Sequence, residues 1–112
     1  LRIYQTPEGK IAPLNERFRN HTVKLFSKHG MEHIGYWEPV DADKGAGSKL
    51  IYILAHKSVE DGLKSFEAFR ADPDWIAAKA ASEEKNGGSL TVPQPEGVKS
   101  IYMKPVDFSA IK

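Results

Sequence analysis

Four histidines carry most of the proton-handling and ligand-binding capacity of this chain, because it has no cysteine and so no thiolate ligand, disulfide or cysteine nucleophile. His21 is the most suggestive. It falls three residues after Phe18 and four before Leu25, on an apolar stripe at helical spacing, so it is expected to face the sheet. An imidazole there can act as a base or a hydrogen-bonding donor inside a pocket. The same position also suits a hydrogen-bonded core histidine. His29 lies eight residues further on. At ~1.5 Å per residue that is ~12 Å along the axis, too far for the two rings to hold one metal. His29 instead suits a helix end, where its charge complements the dipole. His33 and His56 come with no carboxylate at ligand spacing, so no metal site is expected.

Arg2 and Tyr4 share one face of the first strand by the period of two. Together with Trp37 or its neighbour Tyr36, Tyr52 and Trp75, they can line a mostly apolar cavity with a few polar tips. In that cavity His21 would handle the proton and Arg2 would anchor an anionic substrate. The plainer alternative is that these rings form an aromatic core. Arg70 stands near Asp72 and Asp74, where a surface salt bridge is the expectation. No cofactor is called for by any of these groups.

Two motifs fail on context. Gly45-Ala46-Gly47-Ser48-Lys49 resembles part of a phosphate loop, but it leads into a strand, whereas that motif must open a helix. The third strand offers only Tyr52 amid aliphatic residues, too little for the spaced aromatics with which RNA-binding domains stack bases. Sixteen basic residues against fifteen acidic ones leave a charge of +1, so nothing electrostatic points to nucleic acid or an anionic membrane. The longest apolar run, Leu50 to Ala55, is far short of a membrane span, so no membrane insertion is expected.

The elements that must position these side chains follow from periodicity. Leu1 to Thr6 alternates as a strand, and Leu14, Phe18, His21, Thr22, Leu25 and Phe26 mark an amphipathic helix that Gly30 stops. A second strand is expected over 31–40, a hairpin loop over 41–48 and the clearest strand over 49–56. Ser58 with Asp61 reads as the capped start of a second helix, and Asp72-Pro73 as a fresh cap opening a third through Lys85. Residues 86–97, rich in Gly and Pro, read as a loop or arm, and 98–104 as the last strand.

Residues 1–112 therefore form a single α+β domain with the ferredoxin-like split β-α-β-β-α-β order, an antiparallel four-stranded sheet with helices on one face. Leu50, Tyr52 and Leu54 point one way along the third strand while Ile51, Ile53 and Ala55 point the other, so both sheet faces call for cover. Helices supply one cover. A partner's sheet is the economical second, giving a homodimer of the dimeric α+β barrel type. Cover by the arm at 86–97 is the alternative.

With these residues in hand, the chain resembles the NIPSNAP family of the dimeric α+β barrel superfamily over nearly its whole length. The likeness rests on Leu1-Arg2-x-Tyr4, Pro7-x-Gly9-Lys10, Arg17-Phe18-Arg19-x-His21-Thr22 and Lys28-His29-Gly30-Met31. It continues through Gly35-Tyr36-Trp37, Leu50-Ile51-Tyr52 and Ala68-Phe69-Arg70-Ala71-Asp72-Pro73-x-Trp75. Phe66 stands where a tryptophan is common in that family. The resemblance implies a homodimer whose subunits each hold a small-molecule cavity between helices and sheet. It does not imply one reaction: other branches of the superfamily are cofactor-free monooxygenases, haem-degrading enzymes or small-molecule sensors, and eukaryotic relatives are linked to mitochondria and vesicle or mitophagy signalling. The expectation is a small-molecule-binding dimer, with a cofactor-independent monooxygenase-like activity as its enzymatic form. A non-enzymatic protein-interaction or signalling module is the alternative. Cytoplasmic location is expected, although an opening at Leu1 leaves room for a preceding segment.

Overall fold

Leu50, Tyr52 and Leu54 on one face of Lys49–Ala55 and Ile51 and Ile53 on the other are large and apolar, and this strand sits inside a four-stranded antiparallel sheet. In the computed structural model, which describes residues 1–111, the strands are β1 (Arg2–Gln5), β2 (Glu32–Trp37), β3 (Lys49–Ala55) and β4 (Val98–Ser100), in the order β2-β3-β1-β4. The register pairs Arg2 with Tyr52 and Tyr4 with Leu50, and it pairs Tyr36 with Tyr52. These side chains share the helix-covered face. Ile3, Ile51, Ile53, Gly35 and Trp37 share the other.

The first helix is α1 (Ile11–Arg17), a π-helical turn (Phe18–Thr22) and α2 (Val23–Lys28) in one unbroken run. The others are α3 (Val59–Ala71) and α4 (Pro73–Lys85). Together with the sheet they give the ferredoxin-like α+β order expected from the pattern. Both expected caps are made: the Ser58 hydroxyl accepts from the Asp61 N–H at 3.0 Å, and Asp72 Oδ1 accepts from the Asp74 N–H at 2.9 Å ahead of Pro73. Among the described residues, no helix is long and apolar enough to cross a membrane.

Asp72 does more than cap. Its Oδ2 lies 2.8 Å from Lys28 Nζ and 2.7 Å from His29 Nε2, tying the end of α2 to the start of α4. These hydrogen bonds, Lys28 foremost, then His29 and the Asp74 amide, hold the carboxyl well below the usual carboxylate range. A depressed folded-state pKa contributes stability above the unfolded value, about 3.9, and loses it as pH falls through the folded value. Asp72→Asn keeps the cap acceptor and removes the charge. Its melting temperature is expected to lie below wild type at pH 5–7, with the gap closing as pH falls below about 3. A gap that stays constant across thermal melts from pH 2 to 7 would discard the ion-pair account.

Two strand ends and the arm differ from expectation: β2 stops at Trp37, short of residue 40. The last strand ends at Ser100 rather than Lys104, because β1 has only Leu1 left to pair; its carbonyl accepts from the Ile101 N–H at 2.8 Å. The arm at 86–97 is not free. Leu90 is 1% exposed within the core, and the Gln5 peptide is held from both ends, its C=O accepting from Val92 and its N–H donating to Gly97, each at 2.9 Å. Exposed apolar side chains gather on residues 101–111, with Phe108 86% exposed, while Trp37, Val40, Val59, Leu63 and Ile76 are exposed elsewhere.

Candidate functional site

The π-helical turn decides where the candidate site residues go. Its Val23 N–H donates to the carbonyl of Phe18, five residues back, so the turn holds one residue more than an α-turn. Spacing of 3.6 residues puts His21 and Thr22 side by side on the inward stripe, and of the two only Thr22 is there, fully buried. His21 does not face the sheet; it is exposed on the flank of the helix. The expectation of a proton-handling histidine beneath the helices is corrected by this shift of phase. Arg17, three residues after Leu14 at the end of α1, is buried as well.

Tyr52 is the hub of the helix-covered face and is 0% exposed. Its ring stacks on Tyr36 at 5.1 Å and meets Phe18, Tyr4 and Phe26 at 5.5, 5.6 and 5.7 Å. Arg2 Nε donates to the Tyr52 hydroxyl at 2.7 Å, and that hydroxyl donates on to Tyr4 at 3.4 Å. The Arg2 guanidinium also covers the Phe66 ring at 4.1 Å. Burial opposes its charge, but the contacts to Tyr4 and Tyr52 outweigh burial and raise its pKa above the ordinary value. Burial, reinforced by Tyr4, pushes the Tyr52 phenol well up despite Arg2. Arg2, Tyr4 and Tyr52 are thus brought together within an aromatic core, the plainer of the two arrangements expected, and line neither of the grooves beside it.

Two grooves flank this core. The larger, about 310 Å³, runs between the first helix and the β2–β3 end of the sheet. Phe18, Val23, Tyr36, Trp37 and Leu50 give it an apolar lining, and Arg19, Asn15 and Glu38 supply its polar groups. Asn15 Nδ2 donates to Glu38 Oε2 at 3.0 Å, joining helix to strand across it. Trp37 is 51% exposed and lies back over Gly35, where a Cβ would sit 2.5 Å from the indole. Gly35 therefore gives the indole a flat seat on the uncovered face of the sheet.

Behind this groove runs a hydrogen-bonded chain that the sequence did not disclose. His33 Nδ1 lies 2.8 Å from the Tyr36 hydroxyl, and His33 Nε2 lies 2.7 Å from Ser27 Oγ at the surface. Burial, with help from Tyr4, pushes the Tyr36 phenol up to about 12, so it keeps its proton at neutral pH. In the tautomer whose Nδ1 accepts from Tyr36, Nε2 carries the ring proton and donates to Ser27. The chain can pass a proton between Tyr36 and solvent.

The smaller groove, about 170 Å³, opens between α1, the π turn and α4, and His21 and Arg17 both line it. Trp75 lies beneath, its ring 4.9 Å from the Arg17 guanidinium and 4.6 Å from Phe69. Arg2 lines neither groove. The six predicted residues therefore separate into a core trio, Trp37 at one groove, and His21 with Trp75 at the other. His56 was weighed only as a metal ligand, but it packs against Phe66 at 6.0 Å and Tyr102 at 6.3 Å. Burial, then nearby positive charge including Arg2, lowers its pKa. Among the described residues, no group of three or more His, Cys, Asp or Glu is placed to hold a metal.

Comparison with known proteins gives one consistent answer. The NIPSNAP family model matches residues 1–110. An uncharacterised NIPSNAP domain protein from Burkholderia xenovorans superposes with a TM-score of 0.73 at 16% identity, covering 96% of this chain and 93% of that one. A NIPSNAP family protein with unknown function from Agrobacterium tumefaciens gives 0.74 at 22% identity, covering 99% and 89%. A NIPSNAP-like domain protein from B. xenovorans gives 0.76 at 17% identity, covering 96% and 84%. No curated protein matches.

Proposed function

The chain belongs to the NIPSNAP family, and on that footing we propose that it acts as a homodimeric domain taking a small molecule into the larger groove between helix and sheet. The observation that carries this reading is the groove itself. Its volume of about 310 Å³ reaches the lower end of the ~300–1,000 Å³ typical of small-molecule sites, and its lining is apolar with few polar groups. Arg19 is the cation among them and takes over the anionic-anchor role that the sequence had given Arg2. A flat, partly aromatic molecule bearing an acidic group fits this set. The Ser27–His33–Tyr36 chain gives such a ligand a proton path, which is the part of the arrangement that an enzymatic version would use.

The homodimer is supported by the uncovered sheet face. Ile3, Ile51, Ile53 and Trp37 lie there, and the helices pack on the other side. A partner sheet, with residues 101–111 of each chain reaching across, would bury them. The alternative, a non-enzymatic interaction module, draws on the same exposed stretch.

Titration with 8-anilinonaphthalene-1-sulfonate, an aromatic anion that fluoresces when bound in apolar surroundings, tests the groove. One equivalent is expected to bind per chain, and Arg19→Ala to weaken binding about tenfold through the lost cation. Equal affinity in the variant would move the site elsewhere. Native mass spectrometry of the same samples tests the dimer independently, with a monomer at micromolar concentration counting against it.

A further inference from the structure

We propose that the smaller groove, between α1, the π turn and α4, is a binding site for a phosphate-type oxyanion with Arg17 as its principal ligand. Arg17 is only 5% exposed, yet no carboxylate of the described residues lies within ion-pair distance of it. Its Nη1 donates to Ser82 Oγ at 3.2 Å, and its Nε–H is buried with no acceptor. A guanidinium keeps its charge inside proteins, and burying it without a counter-charge is costly. Glu83 favours the Arg17 charge from beyond ion-pair distance but lies 3.7 Å from Lys79, and Glu16 lies 3.7 Å from Lys85.

What surrounds Arg17 suits an anion. Asn20 and His21 on the π turn and Ser82, Lys85 and Asn86 toward the end of α4 line the groove, with Glu16 the one acid. The Ser82 hydroxyl and the Asn86 amide already donate to the Lys79 and Ser82 carbonyls and Lys85 faces Glu16, so Arg17 and the π-turn side chains are the donors left for an anion. Pro13, Ala78 and Ala81 are small enough to leave it open. Its volume of about 170 Å³ suits a phosphate or a phosphomonoester head and is too small for a drug-sized ligand. Nη1 is engaged by Ser82 and Nε–H is buried. An anion would use the side edge formed by Nε–H and Nη2–H only by reaching past the groove wall to it, where that edge meets two oxygens of one anion. The π turn that removed His21 from the sheet is what puts it on this wall. Single-turn π-bulges recur at functional sites.

Isothermal titration calorimetry on the intact chain, in low-salt buffer without phosphate, tests the site with inorganic phosphate and glycerol 3-phosphate as probes. Saturable binding at one equivalent per chain is expected. Arg17→Met is expected to weaken it at least about tenfold and Lys85→Met by a smaller factor. Without phosphate, Arg17→Met is expected to melt no lower than wild type, since an apolar chain of similar length removes an uncompensated charge. Tighter binding of glycerol 3-phosphate supports a phosphomonoester occupant; equal binding supports the free anion. Arg17→Lys keeps the charge without the fork and serves if the methionine variant misfolds, with an intermediate loss expected. In wild type, phosphate should shift the indole N–H resonance of Trp75 and leave that of Trp37 in place. Undiminished phosphate binding in both Arg17 variants, or a shift confined to Trp37, overturns the proposal.

Discussion

Tyr52→Ala is expected to remove ~4 kcal/mol of folding stability, and Tyr52→Phe only ~1–2 kcal/mol. The alanine variant empties the centre of the core. Four rings lie within 5.7 Å of the Tyr52 centroid, contributed by β1, β2, the π turn and α2. None of those elements can close the gap without leaving the others, so the cavity term adds to the lost burial. Against a typical total of ~5–15 kcal/mol, such a loss brings the chain close to unfolding. The phenylalanine variant keeps the rings and deletes one oxygen. That oxygen accepts from Arg2 at 2.7 Å and donates to Tyr4, so its loss leaves the Arg2 Nε–H without its acceptor. Urea denaturation followed by circular dichroism separates the two variants. Equal losses would mean that the hydroxyl network outweighs ring packing; a loss under about 1 kcal/mol for alanine would displace Tyr52 from the centre of the fold.

Gly97→Ala is expected to cost ~3 kcal/mol, as much as many core deletions, although it adds a single methyl. A Cβ on Gly97 would collide with the carbonyl oxygen of Val92. The obstacle is backbone, so rotating a side chain cannot relieve it. Moving Val92 breaks its N–H bond to Gln5 and loosens the return bond from Gln5 to Gly97. Leu90, docked by the same arm, then loses its seat in the core. Faster amide exchange at Gln5 and Val92 should accompany the loss. A variant as stable as wild type, with those amides still protected, would show that the arm has room the structure denies it.

The parts of this molecule legible in its sequence are those governed by neighbours a few residues apart. Ser58 and Asp72 announced helix starts because a cap is a contact between residues two or three apart. The alternation along β3 gave both sheet faces because side-chain direction follows position by period two. The pattern also gave the trio Arg2, Tyr4 and Tyr52, since period and strand pairing together put them on one face. What stayed hidden depends on one unannounced local event and on distant chain. A single i→i+5 turn leaves no compositional mark, so helical spacing put His21 on the buried stripe beside Thr22, where of the two only Thr22 lies. Arg17 looked like any charged flank residue, because the ring that covers it, Trp75, arrives from another helix. The docked arm looked like a free loop because Gly and Pro report backbone freedom, not what Leu90 will meet.

The seat that Gly35 makes for Trp37 has an optical consequence. The chain has two tryptophans. Trp75 is buried against Phe69 beneath a guanidinium, while Trp37 lies half in water on the uncovered sheet. One emits from an apolar setting and is shielded from soluble quenchers; the other emits to the red and is open to them. A single emission spectrum therefore reports on the core and on the bare face separately, and acrylamide subtracts the second from the first. Anything that comes to rest on that face dims the quencher's access to Trp37 and leaves the blue component as it was.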